Sequence, residues 1–389
     1  MIKMLKTYKI EIKLTDEQKL KVNKSIGICK YLYNEMIATN ELLYQQYKLG
    51  NSDKKFMSGM EFDKYVNNTL SKQLGWIKDC GSKARKSSIM NCDLAFKKFF
   101  KKKGGFPKYK KKNDSIGLYF PKNNSTDFTL ERHRVKFPNT GYIRFKEFGY
   151  IPLNSNIKSG TITKQSNKYF INLLVDVGDS RGTAESIKSE PIGIDLGLKD
   201  FAIVSNNMKF KNINKSKKVK KLEKSLRRQQ RSLSRKLNKN KLKEVKTANN
   251  IKKNILEIQR LNMRLGNTRV EYVRFVVNSL VKLSPQFIAI EDLNVKGMMK
   301  NRCLSKAISK QNFYYFRLFL TQQCNKSNIE LRIVDRWFPS SKTCNCCGQI
   351  KTDLKLKDRV YKCDCGYTED RDLNASFNIR DCSIYKIAN

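Results

Sequence analysis

The sequence predicts an α/β protein: an antiparallel strand-rich segment interrupted by helices, followed by a second core of mixed strands and helices. Three observations carry this. Period-two segments cluster between about residues 115 and 178, helical patterning fills most of 15–103 and 209–283, and two apolar runs end in carboxylates. Those runs, Gly193-Ile194-Asp195-Leu196-Gly197 and Ile288-Ala289-Ile290-Glu291, read as buried strands.

In chain order, Thr7-Tyr8-Lys9-Ile10-Glu11-Ile12 alternates as a strand, and Thr15-Asp16-Glu17-Gln18 supplies the N-cap and first-turn acids of a helix. Leu20, Val22, Ile26, Cys29, Leu32, Tyr33 and Met36 give that helix an apolar stripe, and Ile89, Leu94, Phe96, Phe99 and Phe100 mark another. Strands are expected over 116–120, 135–137, 142–145, 159–164 and 168–175, parted by Pro121, Pro138, Gly141 and Gly149, which suggests a small antiparallel barrel. Residues 179–190, rich in Ser, Gly and Glu, read as a linker. The second core opens with strands at 192–195, 201–205 and 208–210. A helical pair over 209–265, a third helix at 268–283, a strand at 287–291, a helix at 308–325 and a strand at 329–334 follow.

With 80 Lys and Arg against 35 Asp and Glu, the 389-residue chain carries +45, which argues against a typical small-substrate enzyme and points to a polyanionic partner. Around residue 100, Lys97, Lys98, Lys101, Lys108 and Lys110 alternate with Phe99, Phe106 and Tyr109; basic groups neutralise phosphates while aromatics stack on bases. Between Lys209 and Lys253 lie 19 Lys or Arg against Glu223 and Glu244 alone. Lys217, Lys220, Arg227, Arg228, Arg231 and Arg235 are candidate nucleic-acid contacts on that helical pair. No run nears the roughly 18 apolar residues of a membrane span, and the Met1-Ile2-Lys3-Met4 start lacks a signal-peptide core, so a soluble intracellular protein is expected. The lone histidine, His133, reads as an exposed strand or turn residue; its solitude argues against His-based zinc fingers and a histidine-dependent second nuclease centre.

Asp195, Glu291 and, within Asp370-Arg371-Asp372-Leu373-Asn374-Ala375, Asp372 lie at strand ends or a helix start. An RNase H-like core carries one acid on its first strand, another at the end of its fourth and a third on a late helix, and this order matches. Such carboxylates can hold two Mg²⁺ ions roughly 3.5–4 Å apart, which clamp the attacking and leaving oxygens of a phosphodiester cleavage. Asp370 is the near alternative to Asp372. Five of the 11 cysteines fall between Cys344 and Cys365. Cys344-x-x-Cys347-Gly348 and Cys363-x-Cys365-Gly366 read as the two knuckles of a Zn²⁺-binding ribbon. The second arm is one residue short of Cys-x-x-Cys, and Cys346 is an alternative ligand.

These segments, with Ala95-Phe96-Lys97-Lys98-Phe99-Phe100 and Arg336-Trp337-Phe338-Pro339-Ser340-Ser341-Lys342-Thr343-Cys344, resemble the TnpB (OrfB) family of insertion-sequence proteins, relatives of compact type V CRISPR effectors, over nearly the whole chain. The resemblance implies a bacterial, cytoplasmic, nucleoid-associated RNA-guided DNA endonuclease that cuts both strands beside a short target-adjacent motif, using one RuvC-like site. Its partners are then a guide RNA and target DNA. It further implies a wedge barrel from 1–14 and 105–185 with a helical recognition lobe, 15–104, inserted. A RuvC-like domain spans 186–342 and 367–389, with a basic helical insertion at 209–283 and the zinc ribbon at 343–366. One Mg²⁺ held by Asp195 with Glu291 or Asp372 then activates water and a second stabilises the departing oxygen. A CRISPR-associated effector and a guide-dependent repressor without cleavage are the alternatives.

Overall fold

The computed structural model describes residues 5–111, 114, 116–124, 127–153, 155–176, 188–242, 249–355 and 358–388, and these fall into two units, Met1–Asp179 and Ser180–Asn389. The expected linker lies mostly outside them, at 177–187.

In the first unit strand β1 (Leu5–Lys13) leads into helix α1 (Asp16–Lys48), whose start is fixed by a reciprocal capping box between Thr15 and Gln18. Short helices α2 (Gly59–Tyr65) and α3 (Ser71–Gln73), joined by a π-helical turn at Val66–Leu70, precede α4 (Ser82–Phe100). Strands β2 (Leu118–Pro121), β3 (Thr129–Leu130), β4 (Arg134–Phe137), β5 (Gly141–Phe145), β6 (Asn156–Gln165) and β7 (Lys168–Asp176) join β1 in one antiparallel sheet, ordered β2-β6-β7-β1-β5-β4-β3. The strands fall where alternation placed them, except for β3, which is too short for a period to show.

The barrel expectation needs correction. Among the described residues no hydrogen-bonded ladder joins the edge strands β2 and β3. The sheet curls instead until side chains bridge it. Phe120 of β2 meets Phe137 of β4 edge-on at 5.2 Å, Phe128 meets Phe137 at 5.5 Å, and both rings of that second pair press on Gly160 of β6, where a Cβ would lie 2.6 Å from Phe137 and 2.8 Å from Phe128. Helices and sheet share one core, from Ile10, Leu32 and Met36 to Phe96, Ile143 and Leu173.

The second unit opens with β8 (Ile192–Leu196), β9 (Asp200–Val204) and β10 (Lys209–Lys211), an antiparallel meander. Helices α5 (Lys217–Leu242) and α6 (Asn249–Val281) follow; α6 is continuous through Gly266-Asn267, so the separate helix expected at 268–283 is its second half. A Cβ at Gly266 meets nothing within 4 Å, and one helical glycine costs only about 1 kcal/mol against packing of Leu261, Leu265, Val273 and Val277 on either side. Strand β11 (Phe287–Glu291), short helix α7 (Val295–Met298), helices α8 (Ser305–Gln311) and α9 (Phe313–Ser327), and β12 (Glu330–Val334) come next. The helix expected over 308–325 is therefore two, broken at Asn312, whose φ of 57° is left-handed, a conformation asparagine tolerates better than most residues.

Hairpin strands β13 (Val360–Lys362) and β14 (Thr368–Asp370) lead directly into α10 (Arg371–Asp381), and β15 (Tyr385–Ile387) closes the chain. The main sheet is ordered β10-β9-β8-β11-β12-β15, with β8, β11 and β12 parallel and β15 an antiparallel edge. Ile192, Ile194, Ile288 and Ile290 face α6 and α9, packing with Val273, Val277, Phe316 and Leu320. Ala289 and Val334 meet Ile379 of α10 on the opposite face. Among the described residues no helix is long and apolar enough to cross a membrane.

Candidate active site and cysteine cluster

Strand pairing brings the first two acids together. β8 and β11 are parallel with Ile194 beside Ile290, so one further step sets Asp195 beside Glu291 at the carboxyl ends of neighbouring central strands, on one sheet face. That face is the one α10 covers. A Cβ at Gly193 would stand 2.1 Å from the Ser376 carbonyl oxygen and 2.5 Å from the Arg380 nitrogen, so α10 crosses β8 where only glycine leaves room. One turn before that crossing, α10 carries Asp372.

The electrostatics follow from this placement. Burial first, then the charges of Glu291 and Asp372, push the Asp195 carboxyl up to about 8. Burial also raises Glu291, opposed by the Ser340 hydroxyl, which donates to its Oε1. Among the described residues neither Asp195 nor Glu291 has a salt-bridge partner, whereas Asp372 has Arg359 at 3.8 Å. Asp195 and Glu291 are half-buried carboxylates without a basic partner among the described residues, in a chain of +45. Oxygen donors of this kind fit a hard divalent ion such as Mg²⁺. Among the described residues the three acids do not close into a trio with all ligand atoms within 4.8 Å of one another.

Two neighbouring acids are committed elsewhere. Asp370 caps α10, accepting from the Asp372 and Leu373 amides at 3.0 and 3.2 Å, and meets Lys209 at 3.4 Å. Asp292 is clamped by Arg317 and by Arg336, the latter at 2.6 Å; burial works to raise its carboxyl, but these two partners outweigh it and hold it below the ordinary range.

The four cysteines of the two knuckles converge. Cys344, Cys347, Cys363 and Cys365 bring their sulfurs within 4.8 Å of one another, and Cys346 stands outside, exposed. The Cys344–Cys365 and Cys347–Cys363 separations, 3.7 and 3.6 Å, match the roughly 3.8 Å edge of a sulfur tetrahedron with ~2.3 Å Zn–S bonds. The shortened arm still closes because Gly366, at φ +89°, turns its amide onto the Cys363 carbonyl, as Gly348 at φ +76° does for Cys344. The Cys365 backbone N–H is the main influence lowering the Cys363 thiol, to about 7, while its neighbours raise the Cys365 thiol.

Sequence reading did not anticipate the bridge between cluster and acids. Asn378, buried on α10, donates from Nδ2 to the Ser340 and Thr343 carbonyls, both at 2.7 Å, and buried Asn374 donates to Thr343 at 2.8 Å. Segment 340–344 is thereby riveted to α10 with Ser340 on Glu291 at one end and Cys344 in the cluster at the other. The i, i+4 spacing of Asn374 and Asn378 puts both amides on one face of α10, but nothing local names their partners.

The basic candidates divide. Lys217, Lys220, Arg227, Arg228, Arg231 and Arg235 are exposed on α5 and have no salt-bridge partner among the described residues. Glu223, the lone described acid of α5, faces inward to Arg269 and Lys310. Near residue 100, Lys98, Lys101 and Lys108 are exposed, but Lys97 pairs with buried Asp93 at 2.7 Å and the Tyr109 hydroxyl donates to Glu41 at 2.6 Å. Lys110 is pinned by its backbone to Asn34 and lies over the Tyr33 ring. His133 is exposed in a bend.

Family comparisons agree along the chain. The OrfB_IS605 family, described as "Probable transposase", matches residues 172–302, and the Cas12f1-like TNB domain matches 313–379. The OrfB_IS605 helix-turn-helix domain matches 1–48, where this chain has a strand and one long helix. A Streptomyces pristinaespiralis protein named "Putative RNA-guided DNA endonuclease" is 27% identical over 96% of this chain and 88% of its own. InsQ of Escherichia coli K12, with the same description, is 26% identical over 97% and 92%. The chain's fold is similar to Cas12f1 in a Cas12f1–sgRNA–target DNA complex, with a TM-score of 0.60 over 99% of this chain and all of that one, at 14% identity. The chain belongs to the TnpB (OrfB) family.

Proposed function

We propose that this protein is a transposon-encoded, RNA-guided DNA endonuclease that cuts double-stranded DNA beside a short target-adjacent motif. The observation that carries the reading is the pair of unneutralised carboxylates, Asp195 and Glu291, side by side under the helix that bears Asp372. The strand order of the second unit, with these acids on its first and fourth strands, supports an RNase H-like, RuvC-type core. The full-length relatives, named as RNA-guided DNA endonucleases, supply guide RNA and target DNA as partners. All three acids are in place, which favours cleavage over guided repression.

Asp195, Glu291 and Asp372 would hold two Mg²⁺ ions, which would supply charge stabilisation at the scissile phosphate and a lowered water pKa. The protein's own part is positional. Ser340 fixes the Glu291 carboxylate, Asp370 holds the first turn of α10, and Gly193 lets α10 cross β8 at Ser376–Arg380, one turn beyond Asp372. Cys344, Cys347, Cys363 and Cys365 would hold one Zn²⁺ as a structural knuckle. The exposed cations of α5 follow the backbone of the guide–target duplex, whose sequence is read by base pairing. The first unit serves as wedge (1–14 and 105–185) and recognition lobe (15–104), and the protein acts in the bacterial cytoplasm at the nucleoid.

The test is to co-express the protein with its native locus, sequence the RNA that copurifies, and challenge the complex with a plasmid library carrying the matching target beside randomised flanks. Mg²⁺-dependent cleavage confined to matched plasmids with one flanking motif is the expected result. Cleavage indifferent to the RNA would remove the guided mechanism, and bound RNA without cleavage would replace it with repression.

A further inference from the structure

We propose that Trp337 is a stacking platform for an unpaired nucleobase of the DNA strand being cut, and so sets where that strand's backbone lies relative to Glu291 and Asp195; the inference rests on the nuclease reading above.

Trp337 stands in the turn after β12, and both of its neighbours are anchored. Arg336 is bonded to Asp292 at 2.6 Å, and Phe338 packs with Ala289, Val334 and Ile379. The turn itself is closed by Asp335, whose carboxylate accepts from the Trp337 amide at 2.9 Å and whose carbonyl accepts from that of Phe338 at 3.1 Å. Between two fixed residues the indole is nevertheless 85% exposed. A large aromatic left in water on a turn anchored at both neighbours, rather than turned into the core that Phe338 packs against, is a surface placed to meet something.

What it meets is indicated by the cleft it borders. Trp337 shares a cavity of about 260 Å³ with Glu291, Asp292 and Arg336. A second cleft, also about 260 Å³, includes Glu291 and Arg336 and adds Lys296 and Tyr314, the latter 73% exposed. Glu291 thus lines both clefts, and each has an exposed aromatic among its walls. Asp292, which would repel a phosphodiester, is outnumbered by the two guanidiniums that clamp it.

The chemistry of the occupant follows. A phosphodiester delivered to the acids brings its bases with it, and one of them needs a surface close to Glu291. Aromatic faces take any base, and sequence tolerance is what a nuclease needs at its cutting site when guide pairing supplies specificity. A base already paired inside a duplex cannot lay its face on the indole, so the ligand is single-stranded DNA.

The chain has two tryptophans, and the other, Trp76, lies in the first unit edge-on to Tyr31 at 5.0 Å. In full-length Trp76→Phe protein the indole emission comes from Trp337 alone. It is titrated in EDTA with a 12-mer of thymidylate, binding being followed separately by anisotropy of an end-labelled oligonucleotide. Emission is expected to fall by half or more as binding saturates, and to change little with a 12-base-pair duplex.

In guide-matched, single-turnover cleavage Trp337→Ala is expected to lose about 10-fold or more in rate, and Trp337→Phe to recover most of it. Unquenched emission at saturating thymidylate, or an unaffected Trp337→Ala rate, overturns the platform. Quenching in a protein whose guided complex never cuts leaves the platform standing and overturns the nuclease reading instead.

Discussion

Replacing Asp195 with asparagine keeps the side chain's shape and removes its charge, and the protein without metal should become more stable. The folded carboxyl titrates at about 8 against a reference of 3.8. Between those values the folded state keeps a proton that the unfolded chain has released, so stability falls as pH rises from about 4 to about 8. At about 1.4 kcal/mol per pH unit, the interval from 3.8 to pH 7 costs roughly 4 kcal/mol, and that to pH 5 costs roughly 1.6 kcal/mol.

Asparagine escapes both costs. With roughly 2–4 °C per kcal/mol for a unit of this size, Asp195→Asn should melt about 8–16 °C above wild type at pH 7 in EDTA, with the gap narrowing to about 3–6 °C at pH 5. Differential scanning fluorimetry across pH reads this directly. Added Mg²⁺ should raise the wild-type melting temperature and move the variant less, closing the gap. A variant no more stable than wild type at pH 7, or a gap that does not widen with pH, would refute the reasoning that the site is a cluster of unneutralised acids.

Three further outcomes follow from the packing around that site. Gly193→Ala drives a methyl group into the α10 backbone and should destabilise the second unit by about 3 kcal/mol or more, measured as a lowered urea midpoint. Ser340→Ala frees the Glu291 carboxylate and should slow cleavage about 5- to 150-fold, equivalent to ~1–3 kcal/mol, with Ser340→Thr partly restoring it in single-turnover assays. Plasma emission should find one zinc per chain, lost in Cys344→Ser together with thermal stability; a zinc-free wild type of full activity would contradict the structural knuckle.

Much of this was legible in the residues, for reasons that differ by element. The strand Phe287–Glu291 and the capped start of α1 were readable because an apolar run ending in an acid and a Thr-x-x-Gln box are local signals. The joins were less so. Helix α6 runs through Gly266-Asn267 because tertiary packing outweighs one glycine, while the helix after residue 305 breaks at Asn312, which a hydrophobic stripe does not reveal. The barrel expectation found the strands but not how the edges meet, since closure depends on the pairing of β2 with β3 and not on their sequence period.

At the site, the order of the acids and the preference for Asp372 over Asp370 were both legible in the sequence, while the contacts around the two appear only in the fold. Asp370 spends its oxygens on the cap, while the Asp372 charge is felt at Asp195. The shortened Cys363-x-Cys365 arm left Cys346 as an alternative ligand by spacing alone, because the turn that brings Cys363 and Cys365 beside Cys344 and Cys347 has no sequence period. Ser340 and Asn378 were beyond reach because their partners are 49 and 38 residues away in sequence.

The most direct test of the central claim compares Asp195→Asn, Glu291→Gln, Asp372→Asn and Asp370→Asn side by side, as purified RNA complexes cutting one guide-matched plasmid in Mg²⁺. The first three should each abolish cleavage of both strands while guide binding persists, and Asp370→Asn, whose amide oxygen can still cap α10, should retain a measurable fraction. Wild-type cleavage by any of the first three, or loss confined to Asp370→Asn, would contradict the assignment of these acids to the site.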